Sequence, residues 1–267
     1  MSGRELRLLT LNVSAPSRER ARGLLELLWP AQDDVWVLTE TSGGEGTRLI
    51  AQVSRAAGHE VLLSDRGAGG GRGVMVVGRG VEVRVEELPG PEVLPGRVLP
   101  VRVGAGGREV RVLGVYGAAS DPVRYSSAAQ RERKREWTRA LLAWLHEWRA
   151  AAPDLPAVVL GDLNWVDPCH EDPLPHVLPE ETSALAALGA EHGLVDAFRR
   201  SHPERREVSW VDHSGAGCRY DHAFVTPDLS PLTCDLDQEP RRSRLTDHAA
   251  LRLVLAQAGR AEAPGRP

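Results

Sequence analysis

The sequence of 267 residues predicts a single α/β domain in which many short strands alternate with a few long helices. Short apolar runs recur between turns rich in glycine or proline, which is typical of buried strands. Longer segments carry apolar residues at helical spacing, which predicts helices that pack on a sheet. No internal repeat or linker divides the chain. We therefore expect one domain over residues 1–256, followed by a disordered tail over 257–267.

The composition excludes several classes of protein. Hydrophobic residues make up 42% of the chain and charged residues 26%, as in an ordinary globular protein. The formal net charge of −4 excludes a strongly basic body and leaves room only for local basic patches. Three scattered cysteines are too few for a disulfide framework, and no apolar run approaches the ~20 residues of a membrane span. The first residues contain no apolar signal region, so we expect a cytoplasmic protein without membrane contact.

The predicted strands share apolar and β-branched residues and cover 7–13, 34–39, 60–63, 73–77, 81–88, 98–103, 109–116, 157–160, 208–211, 218–226 and 250–255. The predicted helices cover 17–28, 48–58, 126–150 and 182–192. The longest of them has an apolar stripe of Trp137, Leu141, Trp144, Leu145 and Trp148.

Two loops need interpretation because their composition resembles binding motifs. The glycine-rich run 67–73 has no Gly-Lys-Ser/Thr ending and no following helix, which favours a hairpin loop over a phosphate cradle. The run 167–179 contains His170, Glu171, Asp172 and His176, but its irregular spacing and its prolines argue against a zinc motif. We interpret it as a surface loop at the edge of a site.

The functional argument begins with the strand that ends at Leu160. Gly161 allows a sharp turn after it, and Asp162 and Asn164 follow two residues apart, on the same side of an extended chain. A carboxylate beside a carboxamide suits the positioning of a water molecule or a phosphate oxygen. By itself, however, this spacing is more typical of a turn in which both side chains bond to backbone amides.

Other predicted strands also end in polar residues, namely Asn12, Glu40, Tyr116, Asp221, Asp247 and His248. If these ends meet at one edge of the domain, they form an oxygen-rich pocket that contains a histidine. Glu40, Asp247 and Asn12 offer the hard oxygen ligands that Mg²⁺ or Mn²⁺ prefers.

The remaining residues supply the other needs of phosphoester hydrolysis. A pair of His248 with Asp221 would have a fixed tautomer and a raised pKa, and its protonated form would stabilise an anionic transition state. Asp162 would accept the proton of an attacking water, and Asn164 would hold that water or a phosphate oxygen.

The ordered set of motifs resembles the endonuclease/exonuclease/phosphatase superfamily, the DNase I-like fold that includes exonuclease III. The matching segments are 11–13, 39–40, 115–116, 161–164, 209–210, 219–221 and 246–248. Together they cover the chain from Arg7 to about Leu255. The resemblance implies a four-layered α/β/β/α sandwich with two packed mixed sheets, Glu40 as the principal metal ligand and Tyr116 as a phosphate contact.

The sequence departs from the family pattern at the loop after Tyr116, where Gly117-Ala118-Ala119-Ser120 replaces the usual Pro-Asn. This departure leaves the substrate open, because family members act on DNA, RNA, inositol phosphates or sphingomyelin. A nuclease is favoured, with DNA preferred to RNA, by a basic helix start and by 241–244 (Arg-Arg-Ser-Arg).

The expected substrate contacts are Trp210, Arg219, Arg133 and Arg135. The basic helix start is more often only a solvated face, and Trp210 is as typical of core packing as of a wedge against a base. A phosphatase or phosphodiesterase for a small molecule or lipid head group is the alternative activity, and an inactive binding module is third. We favour a monomer.

Overall fold

Two six-stranded mixed sheets pack face to face, with helices covering both outer surfaces. The structure is a computed structural model, and it describes residues 5–66, 71–105, 107–119, 128–169 and 177–256. The predicted tail, the four loop residues His170, Glu171, Asp172 and His176, and the predicted helix start at 126–127 lie outside the described residues.

The first sheet has the strand order β13, β14, β1, β2, β4, β3. These strands are β13 (Ser230–Asp237), β14 (Ala250–Ala256), β1 (Leu6–Asn12), β2 (Val35–Thr41), β4 (Gly73–Gly78) and β3 (Glu60–Leu63). The parallel pair in its centre is β1 with β2, in a register that places Asn12 opposite Thr39.

The second sheet has the order β5, β6, β7, β8, β12, β9. These strands are β5 (Glu82–Val85), β6 (Val98–Ala105), β7 (Arg108–Tyr116), β8 (Ala157–Asp162), β12 (Asp221–Val225) and β9 (Val195–Asp196). Its parallel pair is β7 with β8, which places Tyr116 opposite Asp162. A separate two-stranded sheet joins β10 (Trp210–Val211) to β11 (Gly217–Cys218).

The helices are α1 (Arg18–Leu28), α2 (Glu45–Ala56), α3 (Ala128–Ala151), α4 (Pro179–Ala190) and the short α5 (Ala197–Ser201) and α6 (Glu239–Arg242). Among the helices of the described ranges, none combines the length and the apolar composition that crossing a bilayer requires.

The alternation of side chains along the strands creates three layers of core. Leu8 of β1 packs with Leu160 of β8 between the sheets, whereas Leu9 packs against α1 and α2 on the outer face. On the other outer face, Val159 packs with Trp137 of α3. Because successive residues of a strand point to opposite sides, a central strand contributes side chains to the layer between the sheets and to one outer layer. The predicted four-layered α/β/β/α sandwich is confirmed.

Two regions differ from the predicted elements. The edge strand β13 was not predicted, because its sequence contains Pro231 and four polar or acidic residues; it forms by pairing along β14. The predicted strand 218–226 is divided into β11 and β12, and between them lie Arg219 and Tyr220.

Arg219 is buried between β11 and β12, and this position corrects its predicted role as a substrate contact. Its guanidinium is 1% exposed and donates 2.6 Å hydrogen bonds to Asp167 and to Asp196. Arg199 also contacts Asp167. The cluster is a buried ion-pair network that ties three segments together, so Arg219 has no surface to offer a substrate.

A β-bulge at the end of β2 determines the backbone at Glu40. Thr39 pairs with Val74 and Thr41 with Gly73, so Glu40 is the extra residue of the strand, at a φ of 56°. This left-handed conformation is unfavourable for a residue with a Cβ. Bulges of this kind redirect one side chain at a strand end.

The Arg219 cluster predicts a pH-dependent loss of stability. Burial opposes the charged form of Asp167, but Arg219 and Arg199 hold its pKa below the usual range. Its stabilising contribution is therefore present above about pH 4 and is lost as the pH falls through the folded-state value. We expect Asp167→Asn to lower the free energy of unfolding by about 3 kcal/mol at pH 7, measured by urea unfolding.

The difference between wild type and Asp167→Asn is expected to shrink as the pH is lowered from 7 to 3, since below about pH 4 the carboxyl of the unfolded wild type binds a proton while that of the folded protein is still ionised. The exposed Asp228→Asn serves as the control and should change stability little at either pH. A difference that stayed constant across this pH range would contradict the ionic interpretation of the cluster.

The bulge predicts an order of stability for two variants that both lack the Glu40 carboxylate. Glycine adopts a positive φ without strain, so Glu40→Gly should be about 1 kcal/mol more stable than Glu40→Ala by thermal unfolding in EDTA. At Glu26, an exposed residue within α1, the order should reverse, because glycine is the poorer helix former. Equal stabilities at position 40 would mean that the backbone there is not strained.

Candidate active site

The candidate site lies at the rim where the carboxyl ends of β1 and β8 meet. Asn12 is the last residue of β1 and Asp162 is the last residue of β8. Asn12 Nδ2 donates a 2.8 Å hydrogen bond to Asp162 Oδ2, although the two residues are 150 positions apart. Both side chains are buried. The contact therefore joins the two sheets and two of the predicted site residues.

The turn after β8 orients Asp162 and Asn164 towards each other. A Cβ on Gly161 would lie 1.9 Å from the carbonyl oxygen of Val115, so only glycine allows β7 and β8 to approach this closely. Asn164 has a φ of 52°, and its backbone N–H and its Nδ2 each donate a 3.0 Å hydrogen bond to the Asp162 carboxylate. With the bond from Asn12, Asp162 accepts three hydrogen bonds.

The protonation of Asp162 is set by its burial. Burial raises the pKa of Asp162 to about 7, with the nearby Asp221 carboxylate adding to the rise and His248 opposing it. A carboxyl group with a pKa near neutrality exists in both protonation states at working pH. This property suits a group that accepts and releases a proton during a reaction.

His248 forms a buried pair with Asp221. The His248 Nδ1 to Asp221 Oδ2 distance is 2.8 Å, and both side chains are at most 6% exposed. Although burial opposes the charged form, the Asp221 carboxylate raises the pKa of His248 to about 10. The imidazole is therefore protonated at neutral pH, with Nδ1–H donating to Asp221. Ser209 Oγ accepts a 3.0 Å hydrogen bond from the Asp221 backbone N–H and thereby fixes that strand end.

Glu40 and Tyr116 lie near each other and near Asp162. Glu40 is 22% exposed by side chain, and its Oε1 is 3.1 Å from Arg72 Nη1. Tyr116 is buried, and burial together with the Glu40 carboxylate raises the pKa of its phenol, so it remains a neutral donor. The guanidinium of Arg97 lies 4.1 Å from the centre of the Tyr116 ring.

Arg72 and Arg97 are the residues that sequence reasoning missed. Arg72 lies in the glycine-rich loop that was interpreted as a hairpin, and Arg97 precedes β6 without any motif around it. No signal in the sequence separates these two from the other arginines of the chain. Their proximity to Glu40 and Tyr116 is visible only in the folded protein.

Asp247 is held by Trp210. The indole Nε1 of Trp210 donates a 3.0 Å hydrogen bond to Asp247 Oδ2, and its ring packs against Tyr220 at 5.5 Å. Trp210 is 9% exposed, which places it mostly in the core and makes it a positioning residue for the exposed Asp247. Thr246 Oγ1 donates a 2.7 Å hydrogen bond to the backbone oxygen of Asn12 and ties this segment to β1.

The oxygen atoms at this rim fit a small hard cation. Asn12, Glu40 and Asp247 supply one amide oxygen and two carboxylates, and Glu40 forms an ion pair with Arg72. Within the described ranges, no tight group of three acidic or histidine ligands forms at the rim. Two carboxylates nevertheless suit Mg²⁺, which keeps several of its waters.

The basic helix start is only partly available to a ligand. Lys134 is buried in a 2.5 Å contact with Glu181, and Arg135 is engaged by Glu180 at 2.9 Å. Arg135 thus takes part in the contact between α3 and α4. Arg133 is exposed. Burial of Arg97 is the main reason why the pKa of Arg97 is lowered, and the charge of Arg133 lowers it further, which indicates that Arg133 lies near the rim.

An open cleft of about 910 Å³ begins at Asp247 and Thr246. Its wall includes Arg20, Arg241 and Arg244, of which the last two belong to the basic run singled out in the sequence. Arg20 of α1 was not predicted; it donates hydrogen bonds to backbone oxygens of the loop that follows β1, at 2.8 Å for Ser14. The cleft therefore begins at the rim and has three arginines in a wall that also contains Asp212.

Comparison with known proteins agrees with this fold. Two solved structures match at a TM-score of 0.73 each, over 94% of this chain and 100% of theirs: a 3′-5′ exonuclease (NExo) from Neisseria meningitidis at 23% identity, and an AP endonuclease from Archaeoglobus fulgidus at 22%. At this identity they show the shared fold. A Xenopus laevis relative, the Transposon TX1 uncharacterized 149 kDa protein, is 26% identical over 147 residues, which is 54% of this chain but 10% of that protein.

The family model described as Endonuclease/Exonuclease/phosphatase family matches residues 9–248. The match includes each polar strand end of the rim, from Asn12 to His248. The chain belongs to the Endonuclease/Exonuclease/phosphatase family.

Proposed function

We propose that the protein is a divalent-metal-dependent nuclease that hydrolyses phosphodiester bonds of nucleic acid, with DNA as the preferred substrate. The observation that supports this most is Asp162, a buried carboxyl group with a pKa raised to about 7 beside a protonated His248–Asp221 pair. A base and a cation in one pocket are what in-line attack of water on a phosphodiester requires.

Asp162 acts as the general base. Its deprotonated form takes a proton from the attacking water, and the hydrogen bonds from Asn12 and Asn164 hold the carboxylate in one orientation. A fixed base avoids the entropy of ordering during the reaction. Asn164 also donates to the backbone oxygen of Gly117 at 3.3 Å, so the amide is anchored on both sides.

His248 stabilises the negative charge that develops on the phosphorus-bound oxygens. Its Nδ1–H is directed to Asp221, so Nε2–H is the donor left for the substrate. Tyr116 supplies a second, neutral donor at the same rim. Because both donors are buried and fixed, their interaction with the transition state is stronger than in water.

Asn12, Glu40 and Asp247 would hold a divalent cation such as Mg²⁺. When bound, the cation neutralises phosphate charge and stabilises the leaving oxygen. Trp210 contributes by fixing the Asp247 carboxylate, and the bulge contributes by giving Glu40 a backbone conformation that differs from the rest of the strand.

Nucleic acid is the substrate class that the charged surface supports. The cleft wall of Arg20, Arg241 and Arg244 starts at the proposed metal ligand Asp247, and arginines suit successive backbone phosphates. The similar solved structures include an exonuclease and an AP endonuclease, which supports DNA over RNA. A phosphatase for small phosphate esters would use the same rim without the cleft.

The test compares three substrates, each in the presence and in the absence of a divalent cation. Purified protein is incubated with plasmid, an abasic duplex and a small phosphatase substrate, each with Mg²⁺ and with EDTA. We expect cleavage of a DNA substrate that EDTA abolishes. Hydrolysis of the small ester alone would favour the phosphatase, and cleavage that persists unchanged in EDTA would refute metal dependence.

The same assay tests the histidine pair. We expect His248→Ala and Asp221→Asn to lower kcat/KM at least a hundredfold, because the first removes a group that acts in the transition state and the second removes the carboxylate that keeps that imidazole oriented and protonated. The control is His202→Ala, which removes a surface histidine that also pairs with an aspartate, Asp235, at 2.9 Å. Activity of His248→Ala within a few-fold of wild type would remove the imidazole from the mechanism.

The cleft predicts a change in salt dependence. The double variant Arg241→Ala with Arg244→Ala should weaken DNA binding and reduce the slope of log K against log salt by about 1–2, roughly one for each lost phosphate contact. Arg133→Ala tests the helix start in the same way. The control is Arg108→Ala, at the opposite end of β7 from Tyr116. An unchanged slope in the double variant would show that DNA does not follow the cleft.

A further inference from the structure

A second cluster of potential metal ligands lies away from the rim. It consists of His146 on α3, and Glu191 and His192 directly after α4. One ligand atom of each residue lies within 4.8 Å of those of the other two. The function proposed above does not use any of these residues.

The cluster is at the opposite end of the sandwich from the active site. α3 ends at Ala151 and leads into β8 at Ala157, whereas Asp162 lies at the other end of β8. His146 is near that last turn of α3. The metal ligands of the rim and the residues of this cluster are therefore separated by the length of the strand.

His192 is unusual because its ring is buried without hydrogen bonds. The residue is 8% exposed, and neither ring nitrogen has a hydrogen-bond partner among the described residues. Buried polar groups are normally paired, because losing water without a replacement costs free energy. Burial, with the neighbouring His146, also lowers the pKa of His192, so its ring is neutral and has a free lone pair.

The distance between His146 and Glu191 is closer to that between two ligands of one metal ion than to that of a hydrogen bond. His146 Nε2 is 3.6 Å from Glu191 Oε2, which is too long for a hydrogen bond. The centres of the His146 and His192 rings lie 4.3 Å apart, and the ring planes are tilted by 44°, so the two imidazoles are in contact. In a tetrahedral zinc site, bonds of about 2.0–2.1 Å place neighbouring ligand atoms about 3.3 Å apart.

The end of α4 adds a favourable field. The carbonyl groups at a helix C-terminus carry partial negative charge, which favours a cation there. Glu191 and His192 follow Ala190, the last residue of this 12-residue helix. Two imidazoles and a carboxylate form a ligand set that suits zinc, with water in the fourth position, and that Mg²⁺ does not prefer.

We infer that His146, Glu191 and His192 form a binding site for Zn²⁺ or a similar transition-metal ion, which fastens α3 to the end of α4. The ion would give the His192 ring the partner that the protein does not provide. Because α3 and α4 cover the second sheet, such a link stabilises that outer layer. The inference does not depend on the nuclease activity.

The test measures zinc binding to full-length protein from which metals and any affinity tag have been removed. Calorimetric titration with ZnCl₂ is done in millimolar Mg²⁺ and in the Glu40→Ala background, which weakens binding at the rim. We expect one equivalent of Zn²⁺ to bind. At a hundredfold excess over Kd, Tm should rise by about 5 °C or more, because the ion binds only the folded state.

His146→Ala is the decisive variant, because His146 is 57% exposed and its removal should leave the fold intact. We expect it to weaken zinc binding at least tenfold and to remove the rise in Tm. The matched control is His202→Ala, which should bind zinc like the parent. Substitution with Co²⁺ should give the visible spectrum of a four-coordinate site in the parent and not in His146→Ala. Unchanged affinity in His146→Ala, or no zinc binding by the parent, would overturn the inference.

Discussion

The hydrogen bond from Asn12 to Asp162 is the interaction on which the candidate active site depends. It connects the ends of two strands that belong to different sheets, and both partners are buried. The bond forms only when the two sheets pack with their carboxyl ends in line. The site is therefore complete only when the two sheets are packed, and substitutions that disturb the core between the sheets would displace Asp162, the proposed base.

The same rim contains a buried network of charges that determines protonation. The Asp221 carboxylate raises the pKa of both Asp162 and His248, and the buried surroundings strengthen these charge interactions. Both carboxyl groups are buried, and the imidazolium between them favours the charged form of each. This arrangement separates their roles: Asp221 remains a partner of His248, while Asp162 titrates near neutrality.

Two ends of the sandwich have different ligand chemistry. The rim offers oxygen atoms from Asn12, Glu40 and Asp247, whereas the proposed second site offers two imidazoles and one carboxylate from His146, His192 and Glu191. Hard cations and borderline transition metals are distinguished by such donor sets. The two proposals therefore assign different kinds of ion to the two ends, one for chemistry and one for stability.

The sequence by itself determined the fold class, the main strands and the polar strand ends, because side-chain periodicity and turn residues act locally along the chain. It also indicated that Asp221 and His248 form a pair. Tertiary structure decided which arginines matter: Arg219 became part of a buried network, and Arg72 and Arg97 reached the rim from loops without a motif. It also decided that β13 is a strand, because pairing along β14 overcomes its poor composition. The physical reason is that charge partners and strand neighbours are distant in sequence, and only packing brings them together.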